Sequence, residues 1–257
     1  TGGTAAGSAW GGTNWAGFYA SFTIRANAGY QVSLSSLSLF YRRSGTGPGT
    51  GQLQYSTDGS TFTNVPGGAF TYSSTSSSGA SLPTVTLSTI TDLQNVPCNT
   101  TITFRIVNSG GASAGTWYVF GSGLSVTGTV ATYPTPAISS APVAATIPAG
   151  GSTSFTIGGV SDAANFQWQR NTSGLSGGTW VNITSATLDP TGTYSGFSSV
   201  GSATSSTLSL SGVPASWDGY AYRCIVTNCS GSTTSGAALL NVAAATCSGM
   251  PACGQLR

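Results

Sequence analysis

Apolar and polar residues alternate along this chain in short runs, and Gly, Pro, Asn and Asp separate the runs. Such period-2 patterning puts successive side chains on opposite faces, which marks β-strands half buried in a sheet. The clearest runs are Tyr30-Gln31-Val32-Ser33-Leu34, Leu37-Ser38-Leu39-Phe40-Tyr41 and Thr101 to Val107. Trp117-Tyr118-Val119-Phe120, Phe155-Thr156-Ile157, Phe166-Gln167-Trp168-Gln169 and Tyr220 to Val226 repeat the pattern. Helical periodicity is nearly absent. Between strands, Ser56-Thr57-Asp58-Gly59-Ser60 reads as a hairpin turn, because Gly tolerates positive φ and Asp can accept from its own backbone.

The one break in composition is Ala131-Thr132-Tyr133-Pro134-Thr135-Pro136, where two closely spaced prolines favour a stiff, extended connector. It divides the 257 residues into a domain over 1–132, a second over 133–243 and a cysteine-containing tail over 244–257. Thirty-nine per cent hydrophobic residues, with ten Tyr, ten Phe and six Trp, suffice for a packed core in each domain. The expected fold is all-β, two β-sandwich domains in tandem. The Ser/Thr-rich run Thr71 to Gly79 is expected as a surface loop or an O-glycosylated segment.

Five features carry a resemblance over about 105 residues of the second half. They are Gly150 to Phe155 as strand B, Phe166-Gln167-Trp168-Gln169 as strand C, Trp180-Val181-Asn182-Ile183, Thr207 to Val213 as strand E, and Asp218-Gly219-Tyr220-Ala221-Tyr222-Arg223-Cys224. Together they resemble the immunoglobulin-like domains of large secreted bacterial proteins, including surface and type IX secretion cargo. The resemblance implies that Trp168 fills the core and that Tyr222, two residues before Cys224, ties the E–F turn through its hydroxyl. Phe155 and Ile157 stand where a bridged domain has its first cysteine, so the usual inter-sheet disulfide cannot form. In the first half, Ala28 to Leu37 followed by Tyr41 to Pro48 is similar to jelly-roll modules of secreted bacterial proteins. That shape implies a rival reading as a carbohydrate-binding module, and Trp10, Trp15, Tyr19, Trp117 and Tyr118 are its candidate ligand or interface aromatics.

Charge narrows the chemistry. Only 5% of residues are charged, as seven Arg and five Asp, with no Lys, Glu or His. Proton transfer and metal binding draw mainly on the missing types, so no catalytic residue, metal site or cofactor is expected. Asp58 and Asp92, the acids of the first half, lie in turn-like contexts and do not suggest a facing catalytic pair. A net charge of +2 is too weak for nucleic acid. No apolar run is long enough to cross a bilayer, and a secretion signal is expected to have been removed. Of the adjacent Arg42 and Arg43, one is expected to donate to carbonyls of the Gly-rich loop that follows.

Five cysteines, Cys98, Cys224, Cys229, Cys247 and Cys253, suggest two disulfides and one left over in an extracellular or cell-surface protein. Cys224 and Cys229 would lie about 16 Å apart on an extended segment, too far to bridge. Cys224 could reach Cys247 or Cys253, or those two could close a local loop, while Cys98 or Cys229 could cross-link to a neighbour or remain a buried thiol. Asn99, Asn171, Asn182 and Asn228 head N-glycosylation sequons. Without lysine, isopeptide staples and sortase linkage are chemically impossible.

The expected function is a non-catalytic extracellular structural protein, a subunit polymerising with copies of itself into a surface filament or sheath through strand and edge packing. In that picture residues Thr1 to Ala9 lie along a neighbour's sheet edge. The alternative is a polysaccharide-binding or adhesion module.

Overall fold

The computed structural model describes residues 3–4, 19–73, 78–111, 115–189 and 191–243. The chain divides into two compact units at Tyr133/Pro134, each with its own hydrophobic core.

In the first unit, β1 (Gly3–Thr4), β2 (Tyr19–Ile24), β3 (Tyr30–Arg43), β4 (Thr50–Ser56) and β5 (Thr63–Thr71) are followed by three two-residue strands. These are β6 (Ala80–Ser81), β7 (Val85–Thr86) and β8 (Val96–Pro97), and β9 (Ile102–Ser109) and β10 (Thr116–Thr132) complete the unit. One sheet runs β1-β10-β3-β6, with β7 and β8 also on β3, and the other runs β2-β9-β4-β5. The first strand therefore pairs with the last, the second with the penultimate, the third with the short β6 to β8 segments and the fourth with the fifth. A long hairpin rolled onto itself gives this order, which is the jelly roll.

A phase change in the sequence explains a kink in β3. Val32 and Leu34 face the core at even positions, then Leu37, Leu39 and Tyr41 at odd ones. Keeping both sets inside requires one extra residue, and the register against β10 slips there, from Ser36 opposite Thr127 to Leu34 opposite Gly128. The bulged Ser35 is not left unsatisfied, since its carbonyl accepts from the N–H groups of Leu87 and Ser88. Arg43 donates to the carbonyls of Gly47, Pro48 and Ser73, so it is the member of the arginine pair that clasps the Gly-rich loop.

The second unit comprises β11 (Ala137–Ser140), β12 (Ala145–Pro148), β13 (Thr153–Ser161), β14 (Asn165–Asn171), β15 (Val181–Asn182) and β16 (Thr193–Ser195). Then come β17 (Ser198–Val200), β18 (Ser205–Ser211), β19 (Ala221–Asn228), β20 (Gly231–Thr234) and β21 (Ala238–Ala243). One sheet runs β11-β13-β18-β16 and the other β12-β21-β19-β14-β15. In immunoglobulin lettering these are A-B-E-D and A′-G-F-C-C′. The first strand changes sheets, with β11 antiparallel to β13 and β12 parallel to β21.

Trp168 is fully buried and satisfies its indole N–H on Ser206 Oγ at 3.0 Å. Phe155, in the place of the missing cysteine, stacks on Tyr222 with ring centroids 4.9 Å apart. The Tyr222 hydroxyl departs from the tyrosine-corner expectation: it faces the Tyr194 hydroxyl at 3.5 Å, not the E–F backbone. Asp218 takes over that turn, because its Oδ1 accepts the Val242 N–H at 2.7 Å. Arg170 and Asp189 form a half-sheltered ion pair of 2.7 Å, and Asp189 also accepts from Tyr194 at 2.6 Å. Burial pushes Tyr194 and Tyr222 above the ordinary tyrosine value, so both stay hydroxyl donors.

Candidate functional site

Of the five carboxylates, four are engaged with neighbours in their own unit. Asp58 caps its turn by accepting from the Thr61 and Ser60 N–H groups and the Ser56 hydroxyl, which hold it well below the ordinary carboxylate value. Asp92 accepts from Tyr55, Asp189 pairs with Arg170, Asp218 serves Val242, and Asp162 sits in a left-handed turn at φ 55°. Among the described residues no three metal-ligating side chains cluster, and no helix is long and apolar enough to span a membrane.

Two arginines are arranged differently from the rest. On the outer face of the β2-β9-β4-β5 sheet, Arg105 of β9 lies opposite Gln54 of β4, which lies opposite Asn64 of β5. Arg105 Nε donates to Gln54 Oε1 at 2.6 Å, and Gln54 Nε2 donates to Asn64 Oδ1 at 2.7 Å. The guanidinium then lies over the Phe62 ring at 3.7 Å, with Tyr19 on another side at 5.5 Å. The second unit repeats the arrangement. Arg223 of β19 donates through Nε to Gln169 Oε1 at 2.8 Å, Gln169 Nε2 donates to Asn182 Oδ1 at 2.8 Å, and the guanidinium lies 4.2 Å over Trp180.

Each ladder has an aromatic residue two positions before the Asn. The local signal in the sequence was Thr61-Phe62-Thr63-Asn64-Val65 and Thr179-Trp180-Val181-Asn182-Ile183. It lay unread because only cross-strand register brings the Gln and Arg to those rings. Burial draws the Arg223 guanidinium somewhat below its ordinary value.

The aromatic candidates separate on exposure. Tyr19 is half exposed and Tyr118 is half buried under Arg42 at 5.9 Å. Trp117 is 1% exposed and packs 5.9 Å from Tyr72 in the core, so it cannot meet a ligand, a correction to its place among the candidates. Inward alternation on β10 governs its position. Trp10 and Trp15 lie outside the described residues.

The cysteines also need correcting. Cys224 is neither bridged nor cross-linked: it is a free, fully buried thiol opposite Trp168, pushed by burial up to about 12. Cys98 and Cys229 are each disulfide-bonded, so neither is a spare thiol for a neighbouring chain. Cys247 and Cys253 lie outside the described residues. Among the sequons, Asn171 is buried and donates to Gly177, and Asn228 donates to Pro134 and Asp162, so both amide nitrogens are engaged. Asn99 and Asn182 are exposed.

Edges decide what can join a sheet. β1 lies on the chain's own β10, with Gly3 opposite Trp117 and Thr4 opposite Thr116, rather than along a neighbour. β2 is the outer strand of its sheet among the described residues, six residues long, and reads Tyr-Ala-Ser-Phe-Thr-Ile. It carries no charge, no proline and no bulge, the usual guards of an exposed edge.

No protein-family model matches the chain, and no curated protein does. Among solved structures, the titin M4 domain aligns at 21% identity over 42% of this chain and 96% of its own, with a TM-score of 0.31. The N-terminal Ig1-2 module of the Drosophila receptor protein tyrosine phosphatase DLAR aligns at 20% identity over 43% of this chain and 50% of its own, with a TM-score of 0.32.

Proposed function

We propose that the chain is a non-catalytic extracellular structural protein that assembles with copies of itself into a filament or sheath by sheet-edge pairing. The observation that supports this reading is the β2 edge, Tyr19–Ile24, which is six residues long, uncharged and, among the described residues, unguarded. An unpaired row of N–H and C=O groups on such a strand is a template for another strand, and a filament grows when β2 takes a different edge of the next copy, because β2 against β2 about a two-fold would close as a dimer. The composition works in the same direction, because an interface made of Gly, Ser, Thr and aromatics desolvates almost no charge on closing. Disulfides and the absence of lysine agree with an oxidising surface environment and non-covalent polymerisation.

The test is Thr23→Lys, at an exposed position of β2, examined by size-exclusion chromatography and electron microscopy beside wild type. Wild type should elute as large species and show filaments, and the variant should be a folded monomer. A wild type that stays monomeric when concentrated, or filaments unaltered in the variant, would sink the proposal. Deleting Thr1 to Ala9 separates exchange of β1 from β2 pairing, because only exchange needs those residues.

A further inference from the structure

We propose that Arg105 and Arg223 are two copies of one ligand site, each a pre-oriented guanidinium beside an aromatic ring, and that they bind a carboxylated polysaccharide. Each guanidinium is fixed on two sides, by the Gln amide at Nε and by the ring beneath it, and each Gln is itself held by an Asn. Among the described residues no hydrogen bond reaches the terminal nitrogens of either arginine, so the end-on pair of each fork keeps its donors for something outside the chain. The chain does not supply that anion: its one ion pair among the described residues is Arg170–Asp189.

A planar fork matches a carboxylate with two parallel hydrogen bonds, and holding it beforehand removes most of the ordering cost of binding. Beside Arg105, half-exposed Tyr19 adds what a sugar needs, an apolar plate for the C–H face of a pyranose. Phosphate polymers are the poorer fit, because nucleic acid binding needs a row of cations and this chain nets only +2. A strand staple would explain one such ladder. Yet the strands that the Arg–Gln bonds join, β9 with β4 and β19 with β14, are already paired through their backbones over seven residues each, so a staple there adds little. The same cation recurring over a ring in two differently wound sheets is what a repeated ligand site requires.

The experiment is affinity electrophoresis of the whole protein in gels containing polygalacturonate, neutral dextran or dextran sulfate. Polygalacturonate should retard the wild type and dextran should not. Arg105→Gln and Arg223→Gln should each lose part of the retardation, because each removes one of two sites. The double variant should migrate as if no polymer were present. Arg42→Gln removes the same charge where no amide holds the guanidinium, and it should behave as wild type. Arg105→Lys with Arg223→Lys keeps the net charge and should still lose most of the retardation. Four results would each overturn the inference: no retardation of wild type, unchanged retardation of the double glutamine or double lysine variant, equal loss in Arg42→Gln, or retardation by dextran sulfate alone. Circular dichroism of each variant separates lost binding from lost folding, and Phe62→Leu with Trp180→Leu, which leaves both charges, should weaken binding without abolishing it.

Discussion

Replacing Arg170 by Met should unfold the second unit far more readily than its position near the surface suggests. The ion pair with Asp189 is 2.7 Å long, and the two side chains are only 14% and 10% exposed. Asp189 is also the acceptor for Tyr194 at 2.6 Å, and Tyr194 meets Tyr222 at 3.5 Å, so one carboxylate anchors a chain of two buried hydroxyls. Met keeps most of the Arg stem but leaves that carboxylate sheltered without its cation, a loss of about 3–5 kcal/mol. With a urea slope of roughly 1.5 kcal/mol/M for a unit of this size, the midpoint should fall by about 2–3 M. Adding Asp189→Asn removes the orphaned charge while keeping an oxygen for Tyr194, so the double variant should recover to within about 1 kcal/mol of wild type. Among the described residues Arg170 Nε has no partner, so the native pair is imperfect and the recovery correspondingly complete. The assay is urea unfolding of the whole protein followed by fluorescence, which reports on fully buried Trp168 and Trp217. A single variant that costs under about 1 kcal/mol, or a double variant whose cost equals the sum of two singles, would refute the reasoning.

Three further outcomes follow from buried or capped groups. Cys224, at about 12, carries roughly one thiolate in ten thousand at a pH of about 8, so iodoacetamide should label it only after denaturation, as read by mass spectrometry. Burial raises Tyr72, Tyr194 and Tyr222, so the stability they contribute is full below the ordinary tyrosine value and is lost as pH rises above about 10; absorbance titration should show these hydroxyls ionising only as the protein unfolds. Asp58 is depressed, so its capping bonds persist above the ordinary carboxylate range and fail on acidification; the Thr61 amide resonance should hold its folded position until well below a pH of about 4, and Asp58→Ala should abolish that position at every pH.

The strands were legible because hydrophobic phase survives without an alignment, whereas the bulge where the phase changes between Leu34 and Leu37 went unread. Trp168 was legible through the resemblance to an immunoglobulin strand C, which implies the core position it holds. What escaped was everything decided across strands. Phase alone puts Trp117 either against the core or on a flat outer face, and only the sheet's closure over Tyr72 chooses. The partner of the Tyr222 hydroxyl depended on Tyr194, twenty-eight residues away and brought near by the approach of two sheets. Both arginine ladders depended on registers linking three strands, so the motifs at Phe62 and Trp180 looked like ordinary strand starts.

On the proposed assembly, the same dependence on register singles out one edge rather than the whole surface. A chain with so few charges cannot guard its edges with lysine, and most of them are guarded by geometry. In the second unit the outer strands β11 and β12 have four residues each, β12 ending in Pro148, and β15 and β16 have two and three, all shorter than β2. In the first, β5 carries Pro66 and a register shift against β4, and β6 to β8 are two-residue fragments. β2 alone among these combines length, alternation and a continuous register with its neighbour, from Tyr19 opposite Val107 to Ile24 opposite Ile102. Short or broken edges suppress indiscriminate aggregation, and on the proposed assembly β2 takes a strand of the next copy in a head-to-tail contact that grows along one axis. Shortening β2 should therefore abolish polymers, whereas lengthening β16 by strand-forming residues should produce disordered aggregates instead of longer filaments; ordered filaments from the lengthened variant would show that edge geometry is not what selects the contact.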